Sequence, residues 1–97
     1  MDKHQWDGDW AAIDDPSERE SLTKELKREL SPAHILHGVD LVAIGRKARR
    51  DDVLFRLHDG RVAQVHLTWR PETDPIWPFT VIYADFEDWK SVPVADR

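Results

Sequence analysis

Of the residues able to do chemistry, His66 comes first. It lies between Val65 and Leu67, in a run whose apolar residues alternate, so its imidazole belongs on the polar face of a strand. A carboxylate beside an imidazole makes an acid–base pair, since the acid orients the ring and balances its charge. Strand pairing would bring Asp52 opposite His66, and the Thr68 hydroxyl is expected on the same face. Asp52, His66 and Thr68 therefore offer orienter, base and nucleophile in name. No glycine-rich elbow accompanies them. A cross-strand polar pair, worth about 0.2–1 kcal/mol, has the same composition, so catalysis is the alternative reading and not the leading one.

Three further constellations carry chemistry. His34 and His37 are three apart and would present two imidazoles on one side of a helical turn, but zinc takes three or four ligands and no acid is adjacent. With no cysteine in the chain, thiolate metal centres, disulfides and thiol nucleophiles are excluded. No metal and no cofactor is expected. Arg46, Lys47, Arg49 and Arg50 cluster at one turn, as an anion or nucleic-acid finger would, although Asp51 and Asp52 follow directly. Residues 70–78 hold three prolines, Pro71, Pro75 and Pro78, with Trp69 just before them and Trp77 among them. Aromatic residues on such a stiff segment suit a protein-binding surface, and Trp69, Trp77, Arg49 and Arg50 are the candidate binding residues. Against that, the strand register places Trp69 in the core.

The elements that must position these groups follow from periodicity. Asp15 as N-cap, Pro16 at the first helical position and Leu22, Leu26 and Leu30 at every fourth residue predict an amphipathic helix over 16–30. From Val39 the period becomes two. Strands are expected over 39–47, 53–57, 61–69 and 79–84, with a turn at 49–52 and a hairpin at Asp59-Gly60. A two-residue hairpin loop would set Phe55 against Gln64. A three-residue loop, His58-Asp59-Gly60 with Gly60 left-handed, pairs Phe55 with Ala63 and Val53 with Val65 instead. The second register is preferred because it gathers Val53, Phe55, Leu57, Ala63, Val65, Leu67 and Trp69 on one face, and a one-residue slip would send that set to solvent. Asp85 caps a short helix with Phe86 and Trp89 on one side. The expected fold is α+β: a four-stranded antiparallel meander with both helices against one face.

The stretch from Gly38 to Trp89 holds Asp51-Asp52-Val53-Leu54-Phe55, Asp59-Gly60, Val65-His66-Leu67-Thr68-Trp69 and Trp77-Pro78. In these residues it resembles a group of short, uncharacterised bacterial proteins. The resemblance implies a bacterial, cytoplasmic protein and supports the meander; it carries no activity or site.

Charge and length complete the reading. The 97 residues suit one domain over 15–92, with 1–14 an acidic tail, flexible or docked by Trp6 and Trp10, and 93–97 a loose end. The formal net charge of −5 resides in residues 1–20, which hold seven acids against Lys3 and Arg19. Such a tail could fold back on the Arg46–Arg50 turn and mask it. An acidic chain without a long apolar run points away from nucleic acid and membrane and toward a soluble protein. A non-catalytic interaction or regulatory module, with a protein partner or a second copy of itself, is the function expected.

Overall fold

The chain sets its first helix where the sequence caps it. In the computed structural model, which describes residues 6–97, Asp15 accepts a hydrogen bond from the Ser17 amide (2.9 Å) and α1 runs Pro16–Glu29. Leu22 and Leu26 are buried along its inner stripe. The strands are β1 (Trp10–Ala12), β2 (Leu41–Lys47), β3 (Asp52–Leu57), β4 (Val62–His66) and β5 (Phe79–Tyr83), followed by α2 (Phe86–Lys90) and a single 3-10 turn (Val94–Asp96). They form one antiparallel sheet in the order β1-β2-β3-β4-β5.

The central hairpin takes the register that the alternation favours. Val53 pairs with Val65 and Phe55 with Ala63, while Gly60, at φ +95°, closes the three-residue loop. Asp52 consequently stands opposite His66. The sheet has five strands and not four, because residues 10–12 pair with Gly45–Lys47 of β2. Three residues carry too little periodicity to be read as a strand. They are held by tertiary contacts, chiefly the burial of Trp10 and Ile13.

The two helices lie on opposite faces of the sheet, which corrects the expectation that both cover one face. The first face packs Val53, Phe55, Leu57, Ala63, Val65 and Leu67 against Leu22 and Leu26 of α1. The second buries Leu54 and Val62 beneath Trp10, Phe86 and Trp89, with Trp6, Ile44 and Tyr83 at its margin. Leu54 and Val62 are the apolar residues on the nominally polar face, and a short helix with two aromatic side chains supplies their cover. The Trp10 and Trp89 rings meet edge to face, with centroids 5.0 Å apart. Trp6 leans on Phe86 and Trp89 and crosses β2 at Gly45, where a Cβ would enter its indole.

At the end of the chain, residues 93–96 are exposed and Arg97 turns back into the fold. Arg97 is buried; its guanidinium clasps Asp7 through two bonds (2.8 and 3.0 Å), donates to the Val92 carbonyl and stacks over Trp89 at 4.5 Å. That hydrogen-bonded guanidinium also holds the Asp7 carboxyl below the usual range. No helix among the described residues is long and apolar enough to cross a membrane.

Candidate functional site

α2 covers only part of the second face. The rest, formed by β3, β4 and β5, stays open around Asp52 and His66. The Asp52 carboxylate meets His66 Nδ1 at 2.6 Å and accepts from Gln64 Nε2 at 3.1 Å. Gln64 Oε1 in turn accepts the buried Trp89 indole N–H at 2.9 Å. The indole can only donate, so it fixes which end of the amide faces the carboxylate. A chain of hydrogen bonds thus runs from the second core to a half-exposed imidazole.

These groups floor an open groove of about 500 Å³ lined also by Trp77, Phe79, Val81, Tyr83 and Asp96. Its apolar wall is exposed to a degree unusual for such side chains: 43% for Trp77, 54% for Phe79 and 38% for Val81. Phe79 is paired with His66, and Val81 with Gln64, so the apolar wall and the polar floor are adjacent rows of one sheet face.

Thr68 does not join the pair. Its amide and hydroxyl both bond to Glu29 Oε1 (2.8 and 3.0 Å), at the end of α1 on the first face, and the Trp69 amide reaches Glu29 Oε2 (2.9 Å). The three-residue combination Asp52, His66 and Thr68 is therefore not assembled as a triad. Regular pairing stops at His66, and Trp69 adopts φ +62°, a left-handed conformation that turns successive amides onto one carboxylate. The same turn overrides the register that would have put Trp69 in the core. Its ring is 44% exposed, and its indole donates to Asp51 at 2.9 Å, outside the groove.

The other candidates separate in the same way. Arg49 and Arg50 are exposed at the turn after β2, where Asp9, Glu18 and Asp51 line the same hollow. Arg46 reaches Glu18 at 3.4 Å, and Lys47 bonds to the Arg97 main-chain oxygen. Acids thus interleave with the bases there, and a uniform anion cradle does not form. His34 is buried with both ring nitrogens committed: Nδ1 accepts the Leu36 amide (3.0 Å) and Nε2 donates to the Pro78 carbonyl (2.9 Å). His37 faces solvent. His34 alone ties the loop after α1 to the start of β5.

Glu29, outside the groove, is the buried acid that the sequence reading did not single out. It is fully buried; burial and its contact with Glu25 push its carboxyl up to about 7, against the bonds from Thr68 and Trp69. A signal existed, since Glu29 lies seven residues after Leu22 and so falls on the apolar stripe of α1. Comparison of the chain with known protein families, curated proteins and solved structures finds no match in any of the three.

Proposed function

We propose that this protein is a non-catalytic interaction module that engages a protein partner through β5 and the open half of the second sheet face. The observation that supports the reading is the exposure of Phe79 and Val81 on β5, with exposed Trp77 just before the strand, beside an edge that has no neighbour in the sheet among the described residues. Aromatic and aliphatic anchors beside a polar row are the composition of a contact surface, in which the apolar groups supply binding energy and the polar ones set orientation. Asp52, His66 and Gln64 are that polar row. The sequence resemblance adds a bacterial, cytoplasmic setting to the proposal.

The test replaces Phe79 with a benzophenone amino acid in the full chain and irradiates cells that express it. Protein adducts are expected from position 79, few from the same group at Glu20 on the outer side of α1, and none from position 79 once Val81→Asp is added. An equal yield from both positions, or none from position 79, would overturn the reading.

A second reading is favoured by the Trp89–Gln64–Asp52–His66 chain, which orients an imidazole toward a groove large enough for a small ligand. In that case Asp52→Asn abolishes binding of the ligand while Val81→Asp, on the apolar wall, leaves the polar floor intact.

A further inference from the structure

The two edges of the sheet are built differently. At one edge β1 has three residues, and such shortness blunts a strand against pairing. At the other, β5 has five, Phe-Thr-Val-Ile-Tyr, without a charge, proline or glycine among them. The usual protections of an exposed edge, an inward lysine, a proline or a bulge, are missing from it. Its outward ladder of amides and carbonyls is a template for another strand, and on the open sheet face β5 itself exposes apolar Phe79 and Val81.

We infer that the occupant of this edge is a second copy of the chain, with the two β5 strands pairing antiparallel about a two-fold axis at Val81. The inference rests on the proposed role of this face in protein contact and names the partner. The strand's own sequence supports it. An antiparallel pair centred on Val81 sets Phe79 against the partner's Tyr83, Thr80 against the partner's Ile82, and Val81 against the partner's Val81. Directly opposed residues share a face, so the exposed Phe79 gains an aromatic neighbour, and aromatic and β-branched pairs of this kind stabilise a sheet. A strand with aromatic residues at both ends and valine at its centre matches itself, as a two-fold contact requires.

The register is also bounded. Pro78 has no N–H to continue the ladder on one side, and on the other Asp85 turns the chain into α2 by accepting the Asp88 amide at 2.8 Å. A slip by two residues would place Phe79 or Tyr83 beyond the partner strand's end. The result is a continuous ten-stranded sheet with both α1 helices on the same side, and with the two Asp52–His66 pairs facing the same way on the other.

Five paired residues make a contact at the small end of specific interfaces, below roughly 1,200 Å², so the dimer is expected to dissociate in about the micromolar range. Sedimentation equilibrium of the full chain should give an average mass rising from one chain to two across that range. Val81→Lys and Val81→Glu each put two like charges at the axis and should weaken the dimer by more than about tenfold, with unchanged backbone spectra. Mixing the two variants should restore the two-chain mass, because only the mixed pair sets opposite charges face to face. The benzophenone at position 79 should attach to the partner's Tyr83 segment. A dimer indifferent to both variants would overturn the inference. So would a monomer at every concentration. If that monomer still forms adducts from position 79 with a different protein, the interaction module stands and the self-pairing falls; if it forms none, both fall.

Discussion

At the scale of single residues, the least expected feature is the Glu25–Glu29 pair. Burial and the hydrogen bond to Glu25 raise the Glu29 carboxyl to about 7. Glu25 moves the other way: its partial burial is outweighed by bonds from Glu29 and Arg28 and by the charge of Arg28, which lower it below the usual 4.5. The two shifts act in different pH windows. A raised acid keeps in the fold a proton that the unfolded chain releases, so the contribution of Glu29 is complete below 4.5 and fades as pH rises to about 7. That of Glu25 is present above 4.5 and is lost on acidification. The pair is thus most stabilising near the ordinary glutamate value. Urea midpoints of the wild type should fall between pH 5 and 7, and Glu29→Gln should flatten that fall. An equal slope in the variant would remove Glu29 as its source.

At the scale of elements, the second core depends on a helix of only five residues, α2, too short to persist without packing. Its Trp89 is fully buried, meets Trp6, Trp10 and Phe86, and donates to Gln64. Trp89→Ala should cost about 3–5 kcal/mol in chemical denaturation, the usual penalty for emptying so large a site. It should also release Gln64 from its fixed orientation. A loss under about 1 kcal/mol would mean that Trp6 and Trp10 close over the gap.

The same elements explain what could be read in advance. Register and the Asp52–His66 pairing were legible because alternation and the Asp59-Gly60 turn are local signals that agree with each other. The α1 start was legible from its cap. The side of the sheet taken by α2 was not, since it depends on how residues 84–85 leave β5 and on apolar Leu54 and Val62 awaiting cover. β1 was hidden because its stability comes from Trp10 and Ile13 seated in two separate cores. The Trp69 reading failed because a buried carboxylate 40 residues away in sequence, Glu29, captures the chain after β4 and bends it out of line. Of the residues singled out for function, Trp77 and the Asp52–His66 pair meet at one groove, while Arg46, Lys47, Arg49 and Arg50 line a separate hollow shared with acids.

At the scale of the whole molecule, the two ends of the described chain are clasped together. Asp7 and Arg97 meet over Trp89, and β1 lies along β2 with the Ala48 amide donating to the Asp9 carbonyl at 2.8 Å. Asp9 and β1 therefore run beside the basic turn, with Asp9 and Glu18 sharing the hollow of Arg49 and Arg50. β1 is thus the short edge of the sheet, α1 covers the first face, and β5 with the groove beside it forms the longer edge.

The central claim is that the β5 edge pairs with a second copy of the chain. Amide hydrogen exchange of the full chain, at a concentration where the wild type sediments as a dimer, tests it most directly. The prediction is that those amides of Phe79–Tyr83 that do not bond to β4 exchange slowly in the wild type and fast in Val81→Lys, while β2 and β3 exchange alike in both. Equally fast exchange along β5 in wild type and variant would contradict it.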